Sequence, residues 1–176
     1  MNITVFGGAQ PKEGSSGYEE ARDLGRQLAD RGHAVLTGGY MGTMEAVSRG
    51  ANEAGGHVIG VTCVDIEEWR KTSPNQWVKE ERRKQTLMER LYGLIEGCDA
   101  AMALPGGAGT LTEISLMWNL MIVESLLPRP LILIGSGWQS TFDQFFNEFN
   151  TYTSIHQREL LYFAEDVKTA VEIINK

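Results

Sequence analysis

The chain has 176 residues, of which 42% are apolar and 22% charged, and its formal net charge is −7 at pH 7. This size and composition are typical of a globular domain, and we expect a single domain over 1–176. The negative charge argues against nucleic-acid binding, because neutralising a phosphate backbone requires a basic face. No secretory leader or bilayer-length apolar run is present in the sequence, so we predict a cytoplasmic protein without membrane partners. Cys63 and Cys98 lack metal-ligand spacing, which predicts reduced structural thiols.

Apolar runs typical of buried strands alternate with helical patterns along the chain. Strands are predicted at 3–6, 34–37, 58–61, 100–104, 131–134 and 160–163. Helices are predicted over 18–31, 44–54, 76–96, 110–127, 142–149 and 167–174. This alternation predicts an α/β fold: a Rossmann-like, doubly wound parallel sheet with helices on both faces.

Glycine-rich loops follow three of the predicted strands, at 7–8, 38–39 and 106–107. Since ligands of such sheets bind beyond the carboxyl ends of the strands, these loops should gather at one edge. The loop at 105–109 leaves backbone N–H groups open, and the helix after it adds its positive dipole end. The sequence therefore predicts a phosphate-binding crevice.

Glu113 stands near the start of that helix, where we expect the helix dipole to lower its pKa and keep it ionised. An ionised carboxylate can stabilise an oxocarbenium-like centre or orient water beside it. A dinucleotide site is disfavoured, because the first loop is not Gly-x-Gly-x-x-Gly and Thr37 stands where an acid would bind ribose. A Walker A loop is excluded, because 106–110 lacks the lysine.

Three segments together carry a family resemblance. Residues 105–113, Pro-Gly-Gly-Ala-Gly-Thr-Leu-Thr-Glu, resemble the signature of the LOG family, also labelled lysine decarboxylase-like. Residues 38–46, Gly-Gly-Tyr-Met-Gly-Thr-Met-Glu-Ala, resemble its Gly-Gly-x-x-Gly-x-Met segment, and residues 5–9 resemble its first strand and loop. The resemblance covers roughly residues 2 to 135.

The resemblance implies a homodimeric phosphoribohydrolase that needs no cofactor and no metal. Such an enzyme cleaves the N-glycosidic bond of a nucleoside 5′-monophosphate, AMP or a cytokinin riboside monophosphate, to free base and ribose 5-phosphate. It implies Glu113 and Arg90 as catalytic residues. The substrate-binding residues would be Gly7, Gly8, Gly38, Gly39, Gly42, Arg83, Met88, Gly106, Gly107, Gly109 and Thr110.

Two alternatives stay open. The family's essential arginine matches Arg90, fifteen residues before Pro105, better than Arg83, which forms an Arg-Lys pair like that of plant members. Thr112-Glu113 departs from the Glu-Glu of plant members, so a nucleotide-binding or molybdenum-cofactor carrier without turnover is the alternative function. Lysine decarboxylation itself is rejected, because no lysine for a pyridoxal phosphate Schiff base lies in or beside the loops.

Overall fold

The computed structural model describes residues 1–174, in which seven strands form one sheet flanked by helices. The strands are β1 (Asn2–Phe6), β2 (Ala34–Thr37), β3 (Val58–Cys63), β4 (Glu80–Lys84), β5 (Ala100–Ala103), β6 (Leu131–Ile134) and β7 (Leu161–Ala164). The helices are α1 (Ser16–Asp30), α2 (Thr43–Glu53), α3 (Val64–Arg70), α4 (Leu87–Glu96), α5 (Ala108–Ile122), α6 (Ser136–Glu148), α7 (Ile155–Arg158) and α8 (Val167–Ile173). Residues 175 and 176 of the predicted domain lie outside the described residues.

The sheet has the strand order β4-β3-β2-β1-β5-β6-β7, and every pair of neighbours is parallel. The chain builds outward from β1 to β4, then returns to the other side of β1 to continue with β5. Strand order therefore reverses between β1 and β5, which is the point where doubly wound sheets bind ligands. The predicted parallel α/β fold is confirmed.

Two apolar layers cover the sheet. Helices α1, α2 and α8 pack on one face, in a core that includes Tyr18 and Leu24. Helices α4, α5 and α6 pack on the other face, with Ile114 and Trp118 among their buried residues. Because both faces are covered, β3, β5 and β6 are buried at every position, which explains why these strands are mostly apolar and carry no charged residue.

Two glycines bring α1 and α2 into close backbone contact. A Cβ on Gly50 would overlap the carbonyl oxygen of Arg22, and one on Gly25 would lie 2.9 Å from the backbone nitrogen of Ala51. Only hydrogen fits at either position. This contact fixes α2, and with it the glycine loop that precedes α2.

The helix predicted over 76–96 is wrong in its first half. Residues 80–84 form β4, which pairs with β3 at the edge of the sheet, and its exposed positions alternate with half-buried ones. Charged side chains suit an edge strand, because they discourage pairing with another chain. Helix α4 begins only after Thr86, whose side chain accepts from the Glu89 backbone N–H in a capping box.

The strands predicted at 34–37 and 131–134 have the predicted bounds. The other predicted elements occur with shifted ends, and two helices were not predicted. Helix α5 begins at Ala108 and ends at Ile122, and α6 begins six residues before the predicted start. Helices α3 and α7 have seven and four residues and were missed. None of the helices within 1–174 is both long and apolar enough to cross a membrane.

Candidate active site

A cavity of about 560 Å³ opens at the carboxyl end of the sheet, beyond the neighbouring strands β1 and β5. The glycine loops meet there, as the sequence predicts. The Gly8 N–H donates to the Pro105 carbonyl at 3.2 Å, and the Gly8 carbonyl accepts from the backbone N–H and the hydroxyl of Thr43, both at 2.9 Å. The loops after β1 and β5 and the start of α2 therefore form one continuous structure.

The N-terminus of α5 lies on this cavity. Its N-cap is Gly107, which provides no side-chain hydrogen bond, and the first turn carries no acid. Gly107, Gly109 and Thr110 line the cavity. Because the first N–H groups of a helix have no intrahelical acceptor, this end offers free donors and a partial positive charge to an anion.

Glu113 also lines the cavity, but two expectations about it are wrong. Helix α5 begins at Ala108, so Glu113 lies in its second turn, beyond the strongest part of the dipole. Burial raises its pKa to about 7 from an ordinary value of 4.5, and the charge of Arg90 only partly offsets this. The cause is desolvation, because the carboxylate side chain is only 12% exposed.

Arg90 is buried against Glu113. Its Nη1 lies 3.7 Å from Glu113 Oε1, and its Nε donates to the Val61 carbonyl at 2.9 Å. The guanidinium stands 5.7 Å from the centroid of the Tyr40 ring, and Nη2 lies 3.8 Å from the sulfur of Met44. The arginine is thus held by contacts from four parts of the fold, and both Arg90 and Glu113 line the cavity.

Two residues hold this arginine in place. A Cβ on Gly38 would overlap Nη2 of Arg90 and lie 2.5 Å from the sulfur of Met44, so only glycine fits. Tyr40 is fixed by the end of β3, since its hydroxyl donates to the Cys63 carbonyl at 3.0 Å and accepts from the Cys63 N–H at 2.8 Å. Burial raises the pKa of Tyr40.

The remaining glycines among the predicted site residues shape the loops. Gly39 has φ +76°, and its carbonyl accepts from the backbone and side chain of Asn75. Gly42 has φ +73°, packs on Ala9 and forms the N-cap of α2. Gly106 packs against Thr110, whose hydroxyl a Cβ would overlap. Gly7 and Gly8 line the cavity themselves.

Arg83 and Met88 lie away from the cavity lining. Arg83 belongs to β4, where its exposed side chain forms an ion pair with Glu67, so the prediction of one helix over 76–96 that carries both Arg83 and Arg90 is wrong. Met88 is 54% exposed on α4. The structure therefore places Arg90, and not Arg83, beside Glu113.

Sequence reasoning missed one wall of the cavity. Helix α3 contributes Asp65, Ile66, Trp69 and Arg70 to the lining. Acids at 65 and 67 and Pro74 just beyond the segment are helix-boundary signals that could have revealed it. Seven residues are too few to show a clear apolar period.

Comparisons with known proteins agree with this fold and show the family of the chain. The sequence model of the SLOG cluster4 family matches residues 1–157. The cytokinin riboside 5′-monophosphate phosphoribohydrolase LOG4 of Arabidopsis thaliana is 36% identical over 180 residues, covering 99% of this chain and 80% of that protein. The probable phosphoribohydrolase LOGL5 of Oryza sativa subsp. japonica is 35% identical over 64% of this chain and 45% of its own length. In several curated relatives the chain thus matches only about half of their length.

The molybdenum cofactor carrier protein of Chlamydomonas reinhardtii has a similar structure, with a TM-score of 0.74, 25% identity and coverage of 99% of this chain and 95% of that one. The fold is therefore shared by proteins described as hydrolases and as carriers. On the family match and the LOG4 alignment together, the chain belongs to the SLOG cluster4 family of LOG-type proteins, as its glycine motifs predict.

Proposed function

We propose that the protein hydrolyses the N-glycosidic bond of nucleoside 5′-monophosphates, AMP or a cytokinin riboside monophosphate. The observation that carries this proposal is the buried pair of Glu113 and Arg90 beside the uncapped N-terminus of α5. This arrangement joins an anion site to a carboxylate with a raised pKa, as hydrolysis next to a phosphorylated sugar requires. The 36% identity with LOG4 supports the same activity.

In this mechanism the 5′-phosphate binds the N–H groups of Gly107 and Gly109, which positions the sugar over Glu113. Ionised Glu113 stabilises the positive charge that develops at the anomeric carbon and accepts a proton from the attacking water. The water oxygen bonds to the anomeric carbon while the glycosidic C–N bond breaks. The electron pair of the C–N bond leaves on the base nitrogen, which takes up a proton. Arg90 binds the ribose or the phosphate and holds the carboxylate in place.

The test is incubation of the purified protein with AMP, followed by chromatography for adenine and ribose 5-phosphate. Glu113→Gln should lose about a hundredfold or more in rate, because the amide can neither accept the proton nor carry the charge. Glu20→Gln, at an exposed position of α1, is the matched control and should retain activity. Since Glu113 acts ionised, kcat/KM should rise with pH through about 7. Adenine release by the Glu113 variant at the wild-type rate would refute the mechanism.

A carrier function is the second candidate, because the Chlamydomonas carrier matches nearly the whole chain. A molybdenum cofactor also bears a phosphate, which the N-terminus of α5 could bind without turnover. Failure to release base from any nucleoside monophosphate, combined with a rise in melting temperature on adding AMP, would favour binding without catalysis.

We further propose that the protein is a homodimer. The helices α4, α5 and α6, with the residues that follow α5 and α6 directly, leave large apolar side chains exposed, namely Tyr92, Leu111, Val123, Phe145 and Phe149. A second copy would bury such a surface without requiring a different partner. Size-exclusion chromatography with light scattering should give twice the 19.5 kDa mass of the chain. A monomer at micromolar concentration would contradict this proposal.

A further inference from the structure

Helix α3, the wall of the cavity that the sequence patterns did not predict, carries an exposed tryptophan. Trp69 lies near the end of α3, lines the cavity and is 75% exposed. The guanidinium of Arg70 stacks on its ring, 5.0 Å from the centroid. An indole that is mostly open to solvent inside a cavity offers apolar surface to a ligand.

The fold itself does not need this side chain. Helix α3 buries none of its residues. Two acidic side chains attach α3 to the rest of the protein. Asp65 accepts a hydrogen bond from the Leu87 N–H at 2.8 Å. Glu67 forms an ion pair with Arg83, and its carboxylate lies 3.5 Å from the Tyr40 hydroxyl. The indole takes no part in these attachments, so packing does not account for its position.

Arg70 is also unexplained by the fold. The Arg70 guanidinium stacks on the Trp69 ring, and within the part of the chain that the structure describes no carboxylate forms an ion pair with it. Both residues also line a neighbouring cavity of about 500 Å³, together with Lys12, Glu13 and Glu45. Trp69 and Arg70 therefore stand on the wall shared by the two cavities.

The polar and apolar parts of the main cavity suit the two ends of a nucleotide. The N-terminus of α5 and Glu113 provide for the phosphate and the sugar. The side chains of Ile66, Trp69 and Leu87 provide apolar surface for a flat heteroaromatic group. A base stacks on an aromatic ring through its face, and a purine covers more of that ring than a pyrimidine does.

We propose that Trp69, with Arg70 stacked on it, is the residue on which the nucleobase stacks, and that it makes the site prefer purine over pyrimidine nucleoside monophosphates. This inference rests on the proposed function for the identity of the ligand. It assigns base recognition to α3, separately from the phosphate site on α5 and the chemistry at Glu113.

The test compares Trp69→Ala and Trp69→Phe in binding and turnover. Loss of base stacking by alanine substitution weakens binding by about tenfold to a hundredfold. We therefore expect Trp69→Ala to raise KM for AMP by about that factor with little change in kcat, and to narrow the preference for AMP over CMP. Trp69→Phe should restore most of the affinity. Tyr152→Ala, which removes another highly exposed aromatic side chain outside the cavity lining, is the matched control and should leave KM unchanged.

Ribose 5-phosphate separates base recognition from phosphate recognition, because it lacks the base. Its affinity should be the same in wild type and Trp69→Ala. Equal weakening of AMP and ribose 5-phosphate, or no weakening of either, would overturn the proposal. In fluorescence titrations, AMP should quench wild type more than Trp69→Phe, while the other three tryptophans serve as the constant background.

The two proposals can fail separately. If wild type hydrolyses no nucleoside monophosphate but AMP binding depends on Trp69, the hydrolase is refuted and the stacking site stands. If AMP is hydrolysed with the same KM in Trp69→Ala, the stacking site is refuted and the hydrolase stands. If AMP does not bind to wild type at all, both are refuted.

Discussion

Replacing Glu113 by glutamine should remove a loss of stability that the wild type undergoes as pH rises from 5 to 8. The pKa of Glu113 is about 7 in the folded chain and 4.5 as the ordinary value expected on unfolding. Between these two pH values the unfolded chain loses a proton that the folded chain retains. The free energy of unfolding of the wild type therefore falls as pH rises through this window and levels off above 7. Glutamine is neutral at every pH and similar in shape, so it removes this loss.

The magnitude follows from the size of the shift. Each pH unit in the window costs about 1.4 kcal/mol, and two units separate pH 5 from the folded pKa. The stability of Glu113→Gln relative to wild type should thus increase by about 2.7 kcal/mol between pH 5 and pH 8. Urea unfolding at both pH values measures this difference. The ion pair with Arg90 does not cancel this loss of stability, because at 3.7 Å the arginine offsets only part of the rise in the Glu113 pKa that burial causes.

The control is Glu20→Gln, which changes an exposed carboxylate of α1. Its stability relative to wild type should change little between the two pH values. If Glu113→Gln and wild type give parallel stabilities from pH 5 to pH 8, the carboxylate is not desolvated in the folded chain. That result would also remove the reason to expect an activity transition near pH 7.

Three further substitutions, with two control substitutions, test the geometry of the site and the fold. Arg90→Ala should reduce AMP hydrolysis by about a hundredfold in steady-state kinetics, while Arg83→Ala should stay near wild type, because Arg83 pairs with an acid outside the cavity lining. Gly38→Ala should lower activity as strongly as Arg90→Ala, since its Cβ would displace the guanidinium. Gly50→Ala should lower the thermal unfolding temperature by several degrees, as overpacking costs about 1–3 kcal/mol. Gly17→Ala, whose Cβ meets only ordinary contacts, should not lower it.

Each of these substitutions has an outcome that would contradict it. Full activity in Arg90→Ala with loss in Arg83→Ala would reverse the assignment of the arginine. A fully active Gly38→Ala would show that the Arg90 guanidinium can move without a loss of activity. Equal melting temperatures for Gly50→Ala and wild type would show that α1 and α2 separate without cost.

The sheet was predictable because its central strands are mostly apolar and carry no charged residue. The runs around Val5, Val58, Met102 and Ile132 show no alternation of apolar and charged positions, which occurs when helices cover both sides of a sheet. Edge strand β4 was not predictable in this way, since Glu80–Lys84 is wholly charged and resembles an exposed helix. Its identity depends on pairing with β3, which no local pattern reveals.

The candidate site was predictable in position but not in its electrostatics. The glycines at 7, 8 and 107 and the acid at 113 are local signals that the fold brings together. The raised pKa of Glu113 is not local, because it results from burial in the folded protein, beside Arg90 of α4, which is distant in sequence. Trp69 was missed for a related reason, because it lines a cavity only when α3 is packed in place on the folded protein.

The strand order also determines when the site can exist during synthesis. Strands β1 to β4 can pair as soon as the first 84 residues are made, but one side of β1 has no partner until β5 follows. Until then the growing chain exposes an unpaired edge of Ile3, Val5 and Phe6, which invites association with other chains. The Gly8 to Pro105 hydrogen bond forms only when that edge is closed. The nucleotide that we propose as ligand would therefore stabilise the finished sheet by joining its halves, but it would not protect the half-made chain.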